Sequence, residues 1–321
     1  MIKKRILAMG IIMVLAVTSL AGCGSKKEEK APTTLSGSVK VAALEGAGTE
    51  SVANLKSDYK ITKCATSGDM VGNVLSGGYD VFIMSPTTAG QMNERTSDNL
   101  VEISPITLGG ISIVQNSYVQ GTKTVRVYNE KTKQNEYKTE DIETPMSYLR
   151  GKTIVAYGKE GDASEYVLKK LLNVYAGMAL GEDQIEWIAD KDDFITRLGN
   201  YQTIGLASEP VLSELQKKNK NVKTVFDLNQ KWKEKLEGEI PMDVLVVSKE
   251  FYDNRRDDLN IFLNDYAESI VKAKETSKTK LMLFTESNRG INILKQFNKT
   301  MYEFDAESFG GEKPKSGFYF E

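Results

Sequence analysis

Histidine is missing from this sequence altogether. Its absence removes Ser-His-Asp and Cys-His arrangements, and it leaves any zinc site to carboxylates and a thiol, an unusual donor set. Carboxylate, lysine or tyrosine catalysis stays open, without the commonest general acid–base group. Cysteine is nearly missing too: Cys23 and Cys64 are the two in the chain. Neither sign of charge dominates. Lys and Arg number 42 against 44 Asp and Glu, a net charge of −2. No basic surplus points to nucleic acid, and no acidic block points to a solvating tail. Long apolar runs are confined to the first 22 residues.

What is there starts with that run. Lys3, Lys4 and Arg5 precede an apolar stretch from Ile6 to Leu20, the length of a signal-peptide core and too short for an ordinary spanning helix. Leu20-Ala-Gly-Cys23 resembles a bacterial lipobox. The resemblance implies cleavage before Cys23 and diacylation of its thiol, and two acyl chains anchor stably where one holds marginally. Residues 1–22 are thus expected to be a lipoprotein signal peptide and 23–38, Lys/Glu-rich and then Pro/Thr/Ser-rich, a disordered tether. The expected location is the extracytoplasmic face of the cell membrane, held by lipid. With Cys23 so used, Cys64 has no intramolecular partner. It lies in an alternating segment, Tyr59 to Ala65, that reads as a strand with a small buried thiol.

From Val39 the pattern alternates. Val39–Leu44 reads as a strand, Glu45-Gly-Ala-Gly48 as a glycine loop, and residues 49–56 as a helix. Tyr59–Ala65 is a second strand. Ser67-Gly-Asp69 punctuates, and Met70, Val71, Val74 and Leu75 have the spacing of a short amphipathic helix. Tyr79–Met84 suits a strand buried on both faces. Ser85-Pro86 opens a helix with serine at the N-cap and proline at the first position. Strand, helix, strand, helix, strand, helix predicts an α/β unit with a mostly parallel sheet. Ile111–Gln115 reads as a strand leaving that unit, and Lys123–Lys138 as an exposed hairpin. Leu149–Tyr157 then starts a second unit on the same plan: a loop Gly158–Asp162, a helix through Val167, Leu171 and Tyr175, strands at 185–188 and 203–207, and a helix start at Ser208-Glu-Pro210. Asp162 and Glu165 have capping-box spacing. Met242–Ser248 is a strong strand, and Leu259 to Ile270 mark a long amphipathic helix.

Five loops share one design, a strand end, a small or capping residue and a helix start. Their candidate ligand-binding residues are Gly46 and Ala47; Ser67, Gly68 and Asp69; Ser85, Pro86, Thr87 and Thr88; Gly161, Asp162, Ala163 and Ser164; and Glu209. In a parallel α/β sheet such loops gather beyond the carboxyl ends of the strands, where helix N-termini offer unpaired N–H groups. Each loop taken singly is also ordinary αβ punctuation.

Tyr79-Asp-Val-Phe-Ile-Met-Ser-Pro-Thr-Thr88, Leu149-Arg-Gly-Lys-Thr-Ile154, Gly158 to Tyr166, Ala207-Ser-Glu-Pro210 and the C-terminal Ser308-Phe-Gly-Gly-Glu-Lys-Pro314 together resemble the extracytoplasmic substrate-binding proteins of ABC importers. The branch they are most similar to is the nitrate/sulfonate/taurine-type group of the type 2 periplasmic-binding-protein fold. The resemblance implies an α/β protein of two lobes with two crossing hinge segments, Ile111–Gln115 and Pro241–Ser248. Lobe one would comprise 39–115 and 242–321, and lobe two 116–241 with a hairpin insertion at 120–143. It implies a monomer that captures a small polar solute between the lobes and delivers it to a membrane permease, with no catalysis, cofactor, metal or nucleic acid. Ser85, Thr87 and Thr88 would face Gly161 to Ser164, with Glu209 and Gly46-Ala47 on the rim.

The chain also departs from that pattern. No arginine falls in the five loops, although arginine is the preferred bidentate clamp for oxyanions, which weakens nitrate or sulfonate as the solute. Glu45, Glu160, Asp162 and Glu209 would favour an amine-bearing or heteroaromatic solute, or simply cap helices. Tyr157 and Tyr166 would stack on a flat ligand or pack in the core. An extracytoplasmic enzyme or a sensor lipoprotein on the same fold stays open as an alternative.

Overall fold

The computed structural model describes residues 32–277 and 288–320. The signal segment, Cys23 and the tether as far as residue 31 lie outside the described residues. The first lobe starts β1 (Val39–Leu44), α1 (Ala47–Val52), β2 (Tyr59–Cys64), α2 (Ser67–Leu75), β3 (Val81–Met84), α3 (Pro86–Arg95) and β4 (Leu100–Leu108). The chain then crosses to β5 (Ile111–Asn116), runs out into β6 (Thr122–Asn129) and β7 (Gln134–Asp141), and returns as β8 (Ile154–Tyr157). There follow α4 (Ala163–Ala176), β9 (Ile185–Ile188), α5 (Lys191–Arg197), β10 (Ile204–Ser208), α6 (Val211–Lys218), β11 (Val222–Asp227) and α7 (Leu228–Lys235). A second crossing leads to β12 (Pro241–Ser248), α8 (Lys249–Asn254), α9 (Arg256–Thr276) and α10 (Asn288–Phe304).

The two sheets share one plan. The first has the order β2-β1-β3-β12-β4, and the second, read from the matching edge, is β9-β8-β10-β5-β11. In each, three parallel strands are followed by a strand that has just crossed from the other lobe and runs antiparallel: β12 against β3, β5 against β10. A fifth strand pairs antiparallel with that crossing strand. Period-two alternation sorts the side chains. In the first sheet Val41, Ala43, Val81, Ile83, Leu245 and Val247 face one apolar cluster with α9, while Ala42, Phe82, Met84, Val244 and Val246 face another with α2 and α3. Both faces are covered, as the uninterrupted apolar runs of these strands require.

Several expectations need correction. Ile111–Asn116 pairs along its whole length inside the second sheet, so the lobes part at Gly109-Gly110 and not at residue 115. Both glycines have positive φ, +62° and +75°, a turn that an L side chain strains to make. The tether ends sooner than residue 38: Leu35 packs on the first lobe's core, and Ser36 donates from its N–H and hydroxyl to Asp258 at 2.7 and 2.6 Å. The helix expected over 49–56 begins at Ala47, directly after Gly46 (φ +98°), and stops at Val52. Ser67 to Asp69 are not a loop. They are the first turn of α2, closed by a reciprocal box between Thr66 and Asp69. The C-terminal region does not belong to lobe one alone. Along α10, Leu294 joins the first lobe's core, whereas Phe297 and Met301 pack into the second's.

The β6–β7 ribbon is an antiparallel hairpin whose strands pair over eight positions and stand clear of both cores. No helix among the described residues is long and apolar enough to cross a membrane.

Candidate functional site

The two crossings lie side by side. Pro241 pairs with Leu108, and the Gly109 N–H donates to the Ile240 carbonyl at 2.8 Å. Beside them, between the lobes, is a cavity of about 940 Å³. Lobe one reaches it with the β1–α1 turn (Glu45, Gly46, Ala47), with Ser85 at the tip of α3 and with Thr107 at the end of β4. Lobe two reaches it with Ser112 of β5, with Tyr157, Gly158 and Asp162 to Ser164 of the β8–α4 turn, with Lys191, and with Ser208 to Pro210. Asp243 comes from the start of β12.

Seven of the fourteen residues expected from sequence therefore line the cavity: Gly46, Ala47, Ser85, Asp162, Ala163, Ser164 and Glu209. Thr87 and Thr88 do not. Both are buried, and their hydroxyls hold that of Ser85 at 3.0 and 2.9 Å, while the Ser85 hydroxyl accepts the Thr88 N–H at 3.2 Å. Pro86 is buried in the first turn of α3. Gly68 and Asp69 lie off the cavity in the capped turn of α2, and Gly161 donates its N–H to Glu165 at 2.7 Å. Ser67 touches the site from the edge. Its hydroxyl donates across the lobes to Asp162 Oδ1 at 2.9 Å.

That bond explains why the expected capping box at Asp162 does not form, and the Glu165 side chain takes the Gly161 N–H instead of the Asp162 N–H. The Asp162 side chain does not cap α4. It turns back to accept the Lys159 N–H at 3.1 Å and the Ser67 hydroxyl. Burial pushes its carboxyl above the usual aspartate range, and these two donors work against the shift. The first residues of α4, Ala163 and Ser164, consequently line the cavity with no side-chain cap over them. Glu209 is committed elsewhere: both its oxygens accept from Ser213, from the N–H at 3.1 Å and the hydroxyl at 2.8 Å. Tyr157 lines the cavity with its ring centroid 5.7 Å from that of Phe194, whereas Tyr166 packs on the second lobe's core.

Of the wall residues not singled out in the sequence, three bear most on its chemistry. Asp243 pairs with Thr107, whose hydroxyl donates to Oδ2 at 2.7 Å and accepts the Asp243 N–H at 3.0 Å. The strand register shifts on both sides of Asp243, an irregularity of the kind that re-aims a side chain beside a site. Burial pushes this carboxyl up to about 6; the Thr107 hydroxyl opposes the shift and the Asp162 charge adds to it. Ser112 is the third, 6 % exposed and without a side-chain hydrogen bond among the described residues. A signal existed for two of them: Asp243 is the one charge in an otherwise apolar strand, and Ser112 the small polar residue between Ile111 and Ile113.

The wall carries six carboxylates, Glu45, Asp162, Glu209, Asp227, Glu239 and Asp243, against Lys63, Lys191 and Lys233, and no arginine. Lys191 is paired with Glu214 at 3.1 Å, and Lys63 and Lys233 are exposed. Among the described residues no group of three or more acidic or thiol side chains is placed to hold a metal ion.

No protein-family model matches the sequence, and no curated protein matches it significantly. Solved structures do match. An ABC transporter protein from Parabacteroides distasonis superposes with a TM-score of 0.58 at 12 % identity, over 88 % of this chain and 99 % of the other. The ligand-binding component of an ABC-type import system from Staphylococcus aureus, solved with zinc bound, gives 0.53 at 13 %, over 87 % and 100 %. The periplasmic aliphatic sulphonate binding protein SsuA from Escherichia coli gives 0.53 at 12 %, over 87 % and 84 %. The chain has the fold of these substrate-binding proteins, the type 2 periplasmic-binding-protein fold, with two mixed five-stranded sheets. At such identities the likeness extends to the fold, and zinc in one neighbour and aliphatic sulphonate in another already differ as ligands.

Proposed function

We propose that the protein is the solute-binding component of an ABC import system, tethered through lipid on Cys23, that captures a small polar solute between its lobes without changing it and presents it to a membrane permease. The observation that carries this is the position of the cavity. It opens where two lobes of matched topology meet, beside two adjacent crossing strands, as a clamshell that closes on cargo requires. The Ser67–Asp162 hydrogen bond spans the two halves and belongs to a closed arrangement. The residues that would bind solute are Gly46, Ala47, Ser85, Asp162, Ala163 and Ser164 of the expected set, with Tyr157, Ser112 and Asp243 added from the geometry. One neighbour was solved with zinc bound, whereas among the described residues here no group of three or more acidic or thiol side chains is placed to hold a metal ion.

The test is recovery of cargo. Protein purified from its own cells is denatured and the released small molecules are identified by mass. Returning the compound to the emptied protein should raise the melting temperature, as any ligand specific to the folded state must. A returned compound that leaves the protein with a new mass identifies an enzyme and overturns transport binding. Substitution of Cys23 by Ala should release the protein from the membrane fraction and abolish the mass of two acyl chains; a Cys23→Ala protein that stays bound overturns the anchor.

A further inference from the structure

We infer that the solute is a small organic ammonium that also carries an oxygen acceptor, with Asp243 receiving the ammonium and Ser112, Ser164 and the tip of α4 receiving the oxygen. The inference rests on the solute-binding reading above and adds the chemical class of the cargo.

The cation pole follows from which wall carboxylates are still free to bind. Both oxygens of Glu209 are engaged by Ser213, and both of Asp162 by Ser67 and Lys159. Asp227 caps α7 through the N–H groups of Asn229 and Gln230, and Glu239 is paired with Arg289 at 3.1 Å. Asp243 differs from Glu209, Asp162 and Glu239 in having an empty oxygen, and from Asp227, whose Oδ2 is also unpartnered among the described residues but whose side chain is exposed, in being half-buried. Only its Oδ2 is taken, by the Thr107 hydroxyl, and Oδ1 has no partner among the described residues. No lysine or arginine among the described residues is paired with it. A carboxylate withdrawn from water with one lone-pair face unfilled binds an ammonium through a charge-assisted hydrogen bond, the stronger class of such bonds. Glu45, exposed on the β1–α1 turn and likewise without a side-chain partner among the described residues, gives the mouth the same sign.

The acceptor pole is an independent observation. Ser112 and Ser164 are 6 % and 8 % exposed, both line the cavity, and neither hydroxyl has a hydrogen-bond partner among the described residues. Hydroxyls buried so far are normally paired. Their donors, together with the uncapped start of the 14-residue α4, suit a carboxylate, carbonyl or hydroxyl oxygen of the cargo. Asp243, Ser112, Ser164 and the start of α4 all line the one cavity, so a single small solute carrying both groups can meet both poles. Sulfonate and nitrate fit poorly. They offer no cation to Asp243, and no arginine is present to clamp them.

The experiment is a thermal-shift and calorimetric panel on the full chain emptied of cargo. Amino acids, amino alcohols and a quaternary ammonium carboxylate form one arm, and alkylsulfonates, nitrate and simple carboxylates the other. At least one member of the first arm is expected to raise the melting temperature, with no response from the second. Asp243→Asn should then weaken that ligand about 10- to 100-fold, and Ser164→Ala by less, with the far-ultraviolet spectrum unchanged. A response to the anionic arm alone, or full affinity in Asp243→Asn, overturns the ammonium assignment and leaves solute capture standing. Silence in both arms, with nothing released on denaturation, overturns solute capture itself and this assignment with it.

Discussion

Glu102 and Asp243 occupy neighbouring strands of one sheet, and burial raises both carboxyls, to about 8 and about 6. Their surroundings differ. Glu102 is sealed at 0 % exposure between β4, α10 and the C-terminal segment, where Asn298 Nδ2 donates to Oε2 at 2.9 Å and to the Tyr319 hydroxyl at 3.3 Å. Oε1 of Glu102 and Oδ1 of Asn298 are left as two buried acceptors with no donor. A fully buried carboxyl with one amide donor and no cation beside it favours its neutral form. Asp243 also has an unfilled oxygen, but there the wall is open, and at neutral pH the group has given up its proton. The lesson is that a raised carboxyl has two resolutions: a proton where the protein closes over it, a ligand where the protein opens.

The largest test of this contrast is Glu102→Ala. It takes the Oε2 acceptor from the Asn298 amide and leaves a void, for a loss of about 2–4 kcal/mol by chemical denaturation. A loss below ~1 kcal/mol would show that the network holds nothing. Glu102→Gln sharpens the same point, because an amide mimics the neutral acid. With the folded value raised to about 8 from an ordinary value near 4.5, the folded state binds the extra proton. This contribution to stability is complete below pH 4.5 and declines by ~1.4 kcal/mol per pH unit as pH rises towards 8. The Gln protein should lack that decline, so its advantage over the parent widens from pH 5 to pH 8; parallel profiles would sink the neutral-acid account. Asp243→Asn is the opposing case. Losing a desolvated charge whose one partner is a threonine hydroxyl should leave the unliganded protein equally stable or up to about 1 kcal/mol more stable. A loss above ~2 kcal/mol would make Asp243 a structural group like Glu102.

Sequence reasoning reached the two α/β units, the hairpin and the strand-to-helix loops because those signals are local. The continuous apolar run at Val81–Met84, Ser85-Pro86 at a helix start and the polar turn at residues 129–135 each act within a few residues. The network around Glu102 joins positions 196 and 21 residues apart, and no local pattern reports it. Asp243 faces the cleft because β12 is irregular against β4 at that point, which depends on a partner strand over 130 residues away. Thr87 and Thr88 misled for the converse reason. Their position beside Ser85 is right, but helix geometry turns their hydroxyls onto the cap instead of into the cavity. Asp162 likewise has capping-box spacing, and Ser67 of the other lobe takes the oxygen that the box would have used.

Asp162 is a third raised carboxyl and stands between the other two cases, since its resolution is a hydroxyl supplied by the opposite lobe. Ser67→Ala removes that donor and nothing from either core, so stability should fall by under about 1 kcal/mol. The informative change is in shape. If the bond belongs to the closed arrangement, its loss favours the separated one, and the radius of gyration of the cargo-free protein in small-angle scattering should rise relative to the parent. Cargo contacting both lobes replaces the lost bond, so the two proteins should coincide again once ligand is saturating. Equal radii without ligand would mean that the lobes are held by the paired crossings and by α10, with Phe297 and Met301 on one side and Leu294 on the other, and that the Ser67 hydroxyl merely keeps the Asp162 carboxylate from capping α4.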